Sequence, residues 1–157
     1  MGNGIECRCS ACGYTFLACY GIGYVFPSVY RETLEAAVNG EYGKEASEFF
    51  MNHPDGAINA ASSVYVCLEC DNLQWERNLA LYTRMDKNDP EVGKDYVMPY
   101  DLKRYYKLYK SHTHRCERCG GKMKTLREKT IINLIGEHEL HCPVCGGELD
   151  GDDVEWD

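Results

Sequence analysis

No stretch of this 157-residue chain is long and apolar enough to suggest a membrane span. The uncharged run at residues 14–30 is broken by Gly21, Gly23 and Pro27, and it falls short of the roughly 20 apolar residues a spanning helix needs. The first ten residues lack a basic start, an apolar core and a small-residue cleavage site, so no secretory leader is expected. Met1-Gly2 is followed at position six by Glu6, where N-myristoylation requires Ser or Thr. There are five histidines, His53, His112, His114, His138 and His141. None stands in a His-Glu-x-x-His pattern or in a His-x-Glu pattern coupled to Cys-x-x-Cys, so hydrolytic and deaminase zinc chemistry lack their ligands. Gly21-x-Gly23 lacks the rest of a dinucleotide fingerprint and reads as a turn. These absences predict a cytoplasmic, membrane-free and non-catalytic protein.

What the chain has in excess is cysteine. Eight of its ten cysteines form four Cys-x-x-Cys pairs: Cys9/Cys12, Cys67/Cys70, Cys116/Cys119 and Cys142/Cys145. Each pair places two sulfurs on one tight turn, and two such turns facing each other supply four soft ligands in a tetrahedron. With no leader, a reducing compartment is expected, and there such pairs read as metal ligands rather than disulfides. Two metal ions per chain follow, with zinc expected and iron as the lesser alternative. Only 22 residues separate Cys119 from Cys142. That spacing predicts a local site from Cys116, Cys119, Cys142 and Cys145, which leaves Cys9, Cys12, Cys67 and Cys70 for the other site. Cys7 and Cys19 remain; Cys7 is close enough to Cys9 to replace a ligand in a shifted register, and Cys19 sits in an apolar stretch. His112-x-His114-x-Cys116 would share a strand face, with the histidines as surface groups or as donors behind the ligands.

Three of the pairs continue into glycine, in Cys9-Ser-Ala-Cys12-Gly13, Cys116-Glu-Arg-Cys119-Gly120 and Cys142-Pro-Val-Cys145-Gly146. Glycine suits a turn that needs positive φ while amides approach the sulfurs. The fourth has Asp71, which also tolerates that region. These knuckles resemble the zinc-ribbon and rubredoxin-like class. The resemblance covers the knuckles and adjoining strands and implies small antiparallel sheets around each metal. A rubredoxin-like electron carrier is the iron version of this reading. Its aromatic core is not matched between Cys119 and Cys142, where no Phe, Tyr or Trp occurs.

The fold class expected is α+β, with two zinc ribbons. Residues 1–95 form the first ribbon, enlarged by a helical insertion at about 27–55; residues 96–150 form the second with a connecting helix; residues 151–157 form an acidic tail. Ser28 is placed to cap a helix carrying Val29, Leu34, Ala37 and Val38, stopped by Asn39-Gly40. A second helix is predicted over 44–51, with Ala46, Phe49 and Phe50 inward. Strands are predicted at 62–67, 79–85, 123–126 and 139–141, a turn or helix at 130–135, and a helix at 100–110. The polar stretch 86–93, with Pro90, marks the expected boundary.

Charge divides along the chain. The total is −8, yet residues 101–129 carry +7, with −7 before them and −8 after. Lys103, Arg104, Tyr106, Lys107, Lys110, Arg115, Arg118, Lys122 and Lys124 are therefore candidate nucleic-acid contacts, cations for phosphates and tyrosines for stacking. The competing reading pairs this strip with the acidic residues 148–157 or with another subunit. The overall acidity opposes approach to phosphate and favours a protein-binding adaptor.

Overall fold

A computed structural model of the chain describes residues 2–86 and 95–156. In chain order the elements are β1 (Gly2–Arg8), β2 (Thr15–Tyr20), α1 (Phe26–Val38), α2 (Lys44–Asn52), β3 (Ala57–Ile58), β4 (Ser62–Cys67), β5 (Leu73–Arg77), β6 (Leu81–Arg84), α3 (Pro99–Tyr105), β7 (Tyr106–Lys110), β8 (Met123–Leu126), α4 (Glu128–Gly136) and β9 (Asp150–Trp156). The fold is α+β, as expected. Among the described residues the strands form three small antiparallel sheets, ordered β2-β1-β9, β5-β4-β8 and β3-β6-β7.

The chain folds into two compact units that alternate along the sequence: residues 1–24, 62–76 and 113–157 in one, and 25–61 and 77–112 in the other. The first unit holds two of the sheets, β2-β1-β9 and β5-β4-β8. Each is a hairpin completed by a third strand from a distant segment. The ribbon of β4, β5 and β8 is nested in sequence inside the ribbon of β1, β2 and β9. Among the described residues of the expected acidic tail, 151–156 are not free: Asp150–Trp156 is an edge strand paired along β1 from Gly2↔Trp156 to Arg8↔Asp150. Trp156 lies over Gly2 and Gly4, and a Cβ at Gly2 would come within 2.3 Å of its ring. Glycine at those β1 positions makes room for an indole whose Nε1 donates to the carbonyls of Asn3 and Tyr20. The core of this unit joins Ile5, Cys7 and Ala18 to Val64, Leu73 and Leu126, and to Ile131, Leu140 and Leu149.

The second unit carries α1, α2 and α3, while α4 belongs to the first. Phe26, Tyr30, Thr33 and Ala37 recur at spacings of three and four and form the buried face of α1. Its start differs from expectation. Val25 occupies the cap position without a side-chain cap bond, Pro27 preorganises the first turn, and Ser28 lies inside the helix accepting a bond from Arg31. In α2, Ala46, Phe49 and Phe50 face inward, as the sequence predicts. The expected helix at 100–110 is split. Leu102 anchors α3, and from Tyr106 the chain becomes β7, the edge strand beside β6. Alternation of Tyr106, Leu108 and Lys110 against Lys107 and Tyr109 fits period two as well as helical spacing, and pairing with β6 decides it. Of the expected boundary at 86–93, only Asp86 falls within the described residues.

Candidate metal centres

The four knuckles share one backbone design. In each, the first cysteine's N–H bonds the carbonyl five residues on: Cys9 to Tyr14 (2.8 Å), Cys67 to Asn72 (2.9 Å), Cys116 to Gly121 (2.9 Å) and Cys142 to Gly147 (2.6 Å). In each, the first cysteine's carbonyl accepts from the fifth residue of the turn, Gly13, Asp71, Gly120 or Gly146. Those four residues have φ of 77°, 55°, 73° and 76°. Asp71 therefore performs the glycine role, consistent with the tolerance of Asp for the left-handed region. Amides of Glu69, Gly121, Val144 and Gly147 each donate to a cysteine sulfur at 3.4 Å, an arrangement that stabilises thiolate.

The pairing of knuckles is the principal correction to the sequence reading. One cluster is Cys9, Cys12, Cys142 and Cys145; the other is Cys67, Cys70, Cys116 and Cys119. All eight expected ligands are used, but neither expected foursome forms. The reason lies in the strands. Knuckles one and two are each the turn of a hairpin, β1–β2 and β4–β5, whereas knuckles three and four each lead to a single strand, β8 and β9. A three-stranded ribbon needs one of each kind, so spacing alone misassigns the halves.

The sulfurs fit a metal. Cys9 to Cys145 and Cys12 to Cys142 are both 3.6 Å, Cys67 to Cys119 is 3.5 Å and Cys70 to Cys116 is 3.7 Å. Four sulfurs about 2.3 Å from one tetrahedral ion would be separated by about 3.8 Å. No disulfide joins the cysteines. In each cluster one buried thiol is poised to ionise. Burial works to raise Cys142, but amides of Cys145 and Val144 and the neighbouring thiols outweigh it, leaving about 7 against the usual 9.0. Cys116 follows the same pattern through Cys119 and Arg118 and also stands at about 7. Backbone bonds from Tyr14 to Cys12 and from Gly121 to Cys119 act to lower those two thiols. Burial and the nearby thiols together outweigh them, and both are pushed up to about 12. A metal entering either cluster must therefore displace protons, which makes capture pH-dependent.

Among the remaining candidates, Cys7 is fully buried in the core and no member of a cluster, with burial raising its thiol to about 11. Cys7→Ala is expected to retain both metals while costing about 1 kcal/mol, the scale of a small core truncation; elemental analysis beside chemical denaturation checks both parts. Cys19 is likewise buried. His114 is buried too and is no ligand. Its Nδ1 lies 2.6 Å from Glu76, and its ring stacks on Tyr65 at 3.9 Å between centroids. Gln74 extends this network by donating to Glu76 and to the Arg115 carbonyl (3.0 Å) and by accepting the Glu117 amide (3.1 Å), which holds the third knuckle. The spacing of His114 from Cys116 hinted at such a supporting role; Gln74 and Glu76, distant in sequence, gave no signal.

The basic segment is divided between the two units. Lys103, Arg104, Tyr106, Lys107 and Lys110 belong to the helical unit, and Arg115, Arg118, Lys122 and Lys124 to the ribbon unit. Lys110 pairs with Glu45, and Arg118 donates to the Pro143 carbonyl at 2.6 Å, linking the third knuckle to the fourth. Tyr109 packs on Phe49 and His53, Arg104 lies over Tyr105, and Arg84 lies over Tyr106. No helix among the described residues is long and apolar enough to cross a membrane. A comparison of the chain with protein-family models, curated proteins and solved structures finds no match.

Proposed function

We propose that this chain is a two-zinc ribbon protein whose metals are structural and whose role is to bind a protein partner rather than to catalyse. The observation that carries the reading is the closed donor set. Each cluster offers four thiolates and no open coordination position, the pattern of structural zinc. Zinc would supply folding free energy, since small ribbons bury too little apolar surface to stand alone. With the observed pairing, Tyr14, Phe16 and Tyr20 pack on the core containing Cys9 and Cys142, so the lack of aromatics between Cys119 and Cys142 no longer tells against iron. The same four-thiolate tetrahedron accommodates iron, which makes a rubredoxin-like electron carrier the second reading. A cytoplasmic location fits cysteines kept reduced and free of disulfides.

The partner reading is supported by apolar side chains on the knuckles themselves: Leu68 and Val144 are 60% and 62% exposed. The engagement of Arg118, Lys110 and Tyr109 within the protein favours it over nucleic-acid binding. Full-length protein purified without added metal is expected to contain two zinc ions per chain by elemental analysis. Iron with a visible charge-transfer band would reverse the assignment and favour electron transfer. Salt-dependent binding to single-stranded nucleic acid at physiological salt, lost on neutralising Lys122 and Lys124, would replace the protein-partner reading.

A further inference from the structure

The two clusters look equivalent as ligand sets, yet their supports differ. The inner cluster, Cys67, Cys70, Cys116 and Cys119, sits on a hydrophobic group of its own: Tyr65, Cys67, Cys116 and Met123, with Cys70 packed against it. Every member comes from the inner ribbon. The outer cluster has no such independence. Its buried ligands Cys9 and Cys142 share a core with Val64, Leu73 and Leu126, which β4, β5 and β8 of the inner ribbon contribute. The fourth knuckle is also held through Pro143 by Arg118 of the inner ribbon's third knuckle.

Chain connectivity points the same way. The inner half-sites, Cys70 and Cys116, are 46 positions apart, whereas Cys12 and Cys142 are 130 apart. Pairing of β4 with β8, from Val64↔Leu126 to Cys67↔Met123, brings together the two stretches of chain that lead to the outer half-sites. The long outer loop is then divided into shorter ones, and closing it loses less entropy. Solvent reaches the clusters unequally as well. Two outer ligands, Cys12 and Cys145, are exposed; on the inner cluster only Cys119 is, with Cys70 intermediate.

We infer that the outer cluster is an exchangeable metal site whose occupancy requires the inner one, while the inner site holds its metal with the outer site empty. The inference rests on the zinc reading above. Its consequence is that loss of the outer metal frees β1 and β9, and with them both ends of the described chain, without dismantling the inner ribbon. A chelator, or a competing metal-binding protein, would in this way switch one sheet of the molecule and leave the other intact.

The test uses the full-length, two-zinc protein and the chromophoric chelator pyridylazoresorcinol. Zinc release is expected in two phases with rate constants about tenfold apart or more. Native mass spectrometry should show a one-zinc species between them. Amide exchange on that species should be fast in Gly2–Arg8 and Asp150–Trp156 and slow in Ser62–Cys67 and Met123–Leu126. Cys12→Ser/Cys145→Ser is expected to retain one zinc and the protected inner strands, whereas Cys70→Ser/Cys119→Ser loses both. A single release phase, or an inner-site variant that keeps one zinc with β1 and β9 protected, overturns the hierarchy. A preparation holding iron or no metal overturns the zinc reading beneath it instead, so the two failures are distinguishable.

Discussion

Complete removal of metal at neutral pH is expected to unfold the ribbon unit while α1 and α2 persist. Each structural zinc in a peptide-scale site is worth roughly 10–16 kcal/mol, whereas an entire domain is usually stable by about 5–15 kcal/mol. The ribbon core rests on few large side chains, chiefly Ile5, Val64, Leu73, Leu126, Ile131, Leu140 and Leu149. Such a core does not replace two lost metal centres. Far-ultraviolet circular dichroism should keep the helical signal of α1 and α2 after exhaustive chelation, while amide protection in β1, β4, β8 and β9 disappears. Acid should act in the same direction. The thiols of Cys116 and Cys142 are lowered to about 7 from the usual 9.0, so their contribution is fully present above 9.0 and is lost as pH falls through about 7. At fixed chelator concentration, zinc loss should therefore steepen as pH drops below about 7. Retention of strand protection in the metal-free chain would remove the structural role assigned to zinc.

The ligands were legible in the sequence because Cys-x-x-Cys is a local signal. The chemistry, the turn and the glycine that follows all lie within six residues. Asp71 shows the limit of motif matching, since its φ of 55° fills a position where the sequence pattern wanted glycine. The helical segments were legible for a similar reason, with Phe49 and Phe50 announcing their own buried face. Pairing of half-sites was not local. The signal that could have found it is the segment after each knuckle: Thr15–Tyr20 and Leu73–Arg77 return as the second strands of hairpins, and neither was anticipated. Recognising two hairpin knuckles would have forbidden joining them in one ribbon, and avoidance of crossing connections would then have favoured nesting. The last strand was hidden by charge. Asp150, Asp152, Asp153 and Glu155 read as a solvated tail, because the side chain that fixes the strand, Trp156, finds its place over glycines at the opposite end of the sequence.

Truncating Phe49 should produce the opposite outcome to metal removal, a damaged helical unit beside intact metal centres. Phe49 is 3% exposed and meets Phe50 edge-on at 5.0 Å between ring centroids, with His53 and Tyr109 each at 4.9 Å. It also bounds the turn at Gly56, where a Cβ would lie 2.7 Å from its ring. One side chain thus ties α2 to β7 and to the loop that leads into β3, joining the two sequence segments from which this unit is built. Phe49→Ala removes those aromatic contacts and leaves a cavity too large for its rigid neighbours to fill, at a cost of about 3–5 kcal/mol. The affected residues belong to one unit and the cysteine clusters to the other, so both metals should remain, with release kinetics unchanged. Phe49→Leu restores apolar volume without the ring and should recover about half the loss. Denaturant unfolding followed by helix signal, paired with elemental analysis of the same samples, checks both halves. Loss of zinc in parallel with the helix signal would mean that the two units fold as one cooperative body, and that the metal centres depend on the helical unit for their stability.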